Sequence, residues 1–338
     1  MVGWLRFHCL ALIVVGLALA SVGPATTPAR AAGKTVPKIA FVFYDKKTRT
    51  HILSIADPDG KNVVNLFKDG YFFSPAWSPD GTQLAFIGSV SGSAWELYLI
   101  GSDGSNLRKI SSHTGLTNAG SVAWSPDGTQ LIYSAYNAGY TYFYRINADG
   151  SGDKKLSFKD IIIGSSWVAW SADGKQVAVH SSLSNYFQIV LADPDGENVK
   201  PLPVRSAVKG GVTPLLVWSP DKHHIFIYEW PAYTYGAPSE LYVADLDGSN
   251  AKVILKSPKL SNGILSIAIS PDGKQLLFVA GAPGEQKQTA LWIANADGSR
   301  VYALPLRGLH PGTGTSWGMV PQDALPKGGP ISFAEVAK

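Results

Sequence analysis

The chain has 338 residues, of which 45% are hydrophobic and only 16% charged, with a formal net charge of +4. That composition excludes a disordered or heavily charged chain. A charge this near balance gives no reason to expect nucleic acid or an anionic membrane as a partner.

The N-terminus is a separate object. Arg6 supplies a short positive region, Cys9 to Val22 is almost continuously apolar, and Ala29-Arg30-Ala31 offers small residues where a signal peptidase reads. Residues 1–31 therefore read as a secretory signal, which places the mature protein in a secreted, periplasmic or extracellular setting. The apolar run is shorter than the ~20 residues a span needs, so no membrane span is expected after cleavage. Cleavage also removes Cys9, the single cysteine. Disulfides, a thiol nucleophile and cysteine metal sites go with it.

Beyond the leader, the predicted elements are strands throughout. Three come first, at Lys38–Tyr44, Ile52–Ala56 and Asn62–Phe67. The first complete unit follows as Ser74–Trp77, Gln83–Gly88, Glu96–Gly101 and Asn106–Ile110. Its first turn is Ser78-Pro79-Asp80-Gly81, in which proline pre-sets one corner and glycine accepts the positive φ of the next. Its second turn, Ser102-Asp103-Gly104, is a hairpin signal of the same kind. Both turns recur. The residue before the first turn is Trp77, Trp124, Trp170, Trp218, Ile269 or Trp317, at intervals of 46 to 51 residues. An Asp-Gly pair lies between, at 59–60, 103–104, 149–150, 195–196, 247–248 and 297–298.

Four strands per unit, repeated at this period, predict an all-β, six-bladed β-propeller of four-stranded blades. The opening strands match the second, third and fourth of a blade; the missing first strand reappears as Thr313–Trp317. The ring is thus expected to close by a C-terminal strand joining three N-terminal ones. The blades are predicted at 38–68 with 313–320, then 73–110, 120–157, 166–204, 214–256 and 264–304. The propeller spans 33–320, and 321–338 forms a proline- and glycine-rich tail.

The pattern Trp-Ser-Pro-Asp-Gly-x-x-Leu-x-Phe/Tyr, with Ala-Asp-Gly-Ser further on, resembles the TolB-type propeller repeat, a WD40-like repeat. The resemblance covers essentially all of the mature chain. It implies the six-bladed ring without the α/β domain that precedes the propeller in TolB itself, since only Gly33 to Pro37 separate the leader from the first strand. The repeat is specific for the architecture and much less so for function. Similar blades occur in periplasmic binding proteins, in the propeller halves of prolyl-peptidase-type enzymes and in some polysaccharide lyases.

In such a ring the turns between strands one and two, and three and four, emerge on one face, and the remaining connections on the other. The repeated aspartates, on the first face, read as turn residues that accept their own backbone N–H groups. The repeated tryptophans read as packing between blades. The second face is expected to carry the function, through aromatic loops. Tyr136, Tyr140 and Tyr142 lie in one such loop, Trp230, Tyr233 and Tyr235 in another, and Tyr186 and His113 complete the candidate ligand-binding set, with Tyr71 and Phe72 beside it. Aromatic rings with polar neighbours suit recognition of a sugar or peptide. The irregular blade with Lys222 in place of glycine and the longest aromatic loop, 228–240, is the first choice for the site, and the face with the repeated turns is the one where function is not expected.

No catalytic or metal site follows from spacing. His-x-x-x-His and phosphate-loop patterns are absent. No cofactor is expected, with a channel-bound ion such as calcium left open. The leading expectation is a non-enzymatic, monomeric binding propeller recognising a protein, peptide or glycan of the cell envelope. A polysaccharide lyase or glycosidase, using groups such as His113, His180 and Glu229, is the alternative, and a structural scaffold in an envelope complex the second.

Overall fold

The computed structural model describes residues 34–45, 48–68, 70–90, 95–111, 120–137, 140–158, 163–183, 186–202, 212–231, 240–256, 264–282, 285–306 and 315–325. The first turn of each repeat is built by its own side chains. Gly128 N donates to Ser125 O at 2.9 Å with Gly128 at φ 72°. Asp127 Oδ1 accepts the Ser125 hydroxyl at 2.6 Å and the Thr129 amide at 3.0 Å. Asp173 and Asp272 make the same bonds. Each carboxyl is held below its usual range, chiefly by the serine hydroxyl. These aspartates are therefore occupied in shaping the chain.

Six antiparallel sheets of four strands follow. Blade 1 combines Thr35–Asp45, Thr50–Ala56 and Val64–Phe67 with the C-terminal Thr315–Pro321. Blade 2 is Gly70–Trp77, Gln83–Val90, Glu96–Gly101 and Arg108–Lys109. Blade 3 is Val122–Trp124, Gln130–Asn137, Tyr140–Asn147 and Lys154–Lys155. Blade 4 is Ile163–Trp170, Val177–Leu183, Tyr186–Ala192 and Lys200–Pro201. Blade 5 is Val212–Trp218, His224–Pro231, Glu240–Asp245 and Lys252–Lys256, and blade 6 is Ile264–Ile269, Gln275–Ala282, Glu285–Asn295 and Tyr302–Ala303. The first strands touch one another in sequence around the axis. The six-bladed ring and its closing strand are thus as the repeat predicts.

The core lies in the seams between blades. Side chains alternate across each second strand, so Ala85 and Ile87 of blade 2 meet Leu131, Tyr133 and Ala135 of blade 3. The last seam joins Leu277 and Val279 of blade 6 to Ile39, Phe41 and Phe43 of blade 1. Trp77, Trp124, Trp170, Trp218 and Trp317 are all buried at the ends of first strands. Trp124 gives its indole N–H to Ala76 O of the preceding blade at 3.1 Å, the wedge role read from the repeat.

The hairpins between second and third strands are longer than the sequence suggested. The stretch expected as a loop at Ser134–Tyr142 is mostly ladder, with Tyr140 paired to Asn137 and Thr141 to Tyr136. His180–Leu183 and Tyr186 are also in strands, with Leu183 paired to Tyr186. Tyr228 to Pro231 belongs to the second strand of blade 5. Tyrosine, tryptophan and β-branched residues extend a pleated ladder as readily as they decorate a loop, and here the ladder wins. The closing strand reaches Pro321, after which Gln322 N donates to Lys34 O at 2.9 Å. Among the described residues no helix is long and apolar enough to cross a membrane.

Candidate functional site

The loop face carries an aromatic cluster at the junction of blades 1 and 2. Buried His51 lies 5.3 Å from both Tyr71 and Phe73, and 5.7 Å from Tyr44, all edge-on. The Phe72 amide approaches His51 Nδ1 at 3.2 Å. Phe73 stacks on Trp95 at 5.4 Å. This packing props Tyr71 outward, 47% exposed, at the start of a first strand. Phe72, one residue on, points the other way and is fully buried among Phe67 and Phe86. Phe72 is therefore a core residue, because strand alternation gives the two neighbours opposite faces.

Tyr140 is an exposed large hydrophobic side chain of blade 3, at 63%. Tyr142, two residues along the same strand, carries the Lys155 ammonium 3.6 Å above its ring. The other candidates are placed by backbone: Tyr136 opposite Thr141, Tyr186 opposite Leu183, and Trp230 opposite Thr213. Tyr233, Tyr235 and His113 lie outside the described residues. So the structure joins Tyr136, Tyr140 and Tyr142 in one hairpin and adds the cluster around His51. Sequence reading underrated that cluster, since its rings come from strands of different blades.

His180 and Glu229 are not channel groups. They are 1% and 6% exposed, and strand alternation sets both in the seam where Ala178 meets Ile225 and Ile227. Glu229 accepts the Tyr242 hydroxyl at 2.7 Å. Burial raises its pKa to about 6, against that hydrogen bond, and burial lowers His180 to about 4. A polysaccharide could not reach either group without opening the seam. Among the described residues no three His, Cys, Asp or Glu side chains are grouped to hold a metal ion.

The face with the Asp-Gly turns, where the sequence leads one to expect no site, holds a cavity of about 730 Å³ between blades 3 and 4. Trp170 and Arg145 line it, with Asp127, Asp173 and Asp195 at the turns, and Lys222 reaches it from blade 5. No spacing in the sequence announces this site, because its charges come from three blades; Lys222 in a glycine position is the one visible sign.

Residues 20–228, more than half of the chain, match the model of the TolB beta propeller domain. The chain belongs to this family. Among curated relatives, it is 34% identical over 85 residues to the Tol-Pal system protein TolB of Hahella chejuensis, a match covering 24% of the chain and 20% of that protein. It is 43% identical over 56 residues to the Tol-Pal system protein TolB of Bordetella pertussis, covering 16% and 12%. The chain therefore spans a fifth or less of the curated relatives it matches. A solved TolB from Acinetobacter baumannii superposes with a TM-score of 0.67 at 22% identity, covering 83% of this chain and 66% of that one. At that identity the likeness speaks for the propeller fold.

Proposed function

We propose that the chain is a non-enzymatic binding propeller of the cell envelope, periplasmic or secreted, that holds a partner protein on its loop face. The observation that carries this reading is the pair of exposed rings, Tyr71, propped outward by the cluster around His51, and Tyr140, at the start of a blade 3 strand. A rigid aromatic with a hydroxyl at its tip contributes contact area at small conformational cost, which is why such residues dominate binding hot spots. The secretory pattern of residues 1–31 supports the compartment. The membership of the TolB relatives in a Tol-Pal system supports a protein as the partner.

The test is capture from envelope fractions by the purified chain, with Tyr71→Ala/Tyr140→Ala as the comparison. Both rings are exposed, so the double variant should melt like the parent. Its captured partner should fall at least tenfold, the effect of losing one to two hot-spot contacts of about 1–2 kcal/mol. Recovery of the same partner in the same amount by the double variant would place the interface elsewhere.

A further inference from the structure

We propose that the cavity between blades 3 and 4 is a second binding site, on the face opposite the aromatic one, for a partner segment bearing adjacent basic and acidic side chains. Its volume of about 730 Å³ lies within the ~300–1,000 Å³ of ordinary ligand pockets. Some of its charges are already engaged and others are not.

Elsewhere in the ring the turn aspartates are occupied by their own turns. Asp59, Asp103, Asp149, Asp247 and Asp297 each accept the amide two residues on, at 2.8–2.9 Å. Asp195 occupies the same place in blade 4 and makes no such bond; the residue two on is the acidic Glu197. Half-buried Arg145 projects from the third strand of blade 3 into the same cavity, and its guanidinium makes no hydrogen bond or ion pair with a described residue. Lys222 brings an ammonium group from a position that other repeats fill with glycine. Two uncommitted cations and an uncommitted carboxylate thus share one cavity without pairing with each other. A ligand that bridges them satisfies all three: its carboxylate meets the Arg145 fork and Lys222, and its ammonium or guanidinium meets Asp195 and the outward side of Asp173. A purely anionic ligand is opposed by Asp127, Asp173 and Asp195, and a purely cationic one by Arg145 and Lys222.

The experiment is calorimetric titration of the whole chain at low salt with three blocked heptapeptides centred on Lys-Glu, Lys-Lys or Glu-Glu, and with free lysine. The Lys-Glu peptide should bind at least fivefold more tightly than the other three. Arg145→Gln and Asp195→Asn should each weaken it at least fivefold with the melting temperature unchanged, since neither side chain holds the fold. Lys222→Gly should weaken it too while raising the melting temperature, a combination that a structural role for Lys222 does not produce. Tyr71→Ala/Tyr140→Ala should leave it unaltered, which separates this site from the aromatic face. Equal binding of the like-charged peptides, equal binding of free lysine, or indifference to Arg145→Gln and Asp195→Asn would each overturn the assignment.

Discussion

At the scale of the residue, one turn position shows how the same backbone can be tolerant in one blade and closed in another. Gly81, Gly128, Gly174 and Gly273 take φ between 68° and 74°, and Lys222 takes 63° in blade 5. A residue with a Cβ is strained there by about 1 kcal/mol relative to glycine. Lys222→Gly should therefore raise stability by about that amount in urea denaturation. The surroundings then decide the rest. A Cβ at Gly128 would stand 3.6 Å from Pro79, in ordinary contact. A Cβ at Gly81 would fall 1.9 Å from Met319 O and 2.8 Å from Val320 Cα, in the closing strand. Gly81→Ala should consequently cost about 3 kcal/mol or more, against about 1 for Gly128→Ala. Equal urea midpoints for the two alanine variants would show that the Met319 contact does not constrain the turn. Turn chemistry was legible in Ser-Pro-Asp-Gly; the difference between Gly81 and Gly128 was not, because it comes from the far end of the chain.

At the scale of the element, the second strands show why two titratable groups were misread. Once a strand is assigned, alternation decides the side of each residue, but a blade buried on both faces leaves no polar side. His180 and Glu229 therefore end in one seam rather than at the channel. Their effects on stability have opposite signs. Glu229, raised by burial from 4.5 to about 6, contributes stability that is fully present below 4.5 and lost as pH rises through 6. His180, lowered by burial from 6.5 to about 4, contributes stability that is present above 6.5 and lost as pH falls through 4. Between pH 6.5 and 4.5 the two changes oppose, each at most about 2 kcal/mol. The parent should accordingly melt at a nearly constant temperature across that window. Glu229→Gln, which can still accept the Tyr242 hydroxyl, removes one partner of the compensation and should lose stability steadily as pH falls from 6.5 to 4.5. A flat profile for Glu229→Gln would mean that His180 stays uncharged at no cost to the fold.

At the scale of the whole molecule, the ring depends on joining its two ends. The period of the Asp-Gly turns and the incomplete first blade made this closure legible. The aromatic cluster around His51 and the cavity at blades 3 and 4 were not, because each needs several blades in register. Thr315–Pro321 pairs with Thr35–Phe41 over seven residues. Trp317 and Val320 bury their side chains in the two flanking seams. Ser316 Oγ accepts the Trp77 amide at 2.9 Å, and Gly318 lies so close to Trp77 that a Cβ there would sit 2.6 Å from its ring. Removing the strand forfeits about 5 kcal/mol of apolar burial and leaves an unpaired edge at Thr35–Asp45. That loss is comparable with the total stability of an ordinary domain. A chain ending before Thr315 should therefore fail to unfold cooperatively and should self-associate. The strand's position in the ring, and not its position in the sequence, is what closes the ring. Because Gln322 N bonds Lys34 O, a short linker can join those ends while new termini open between Asn137 and Tyr140, the last paired residues of the blade 3 hairpin. Such a permutant keeps every blade complete and should melt within a few degrees of the parent. Cooperative melting of the truncated chain, or failure of the permutant to fold, would show that closure resides in something other than this strand.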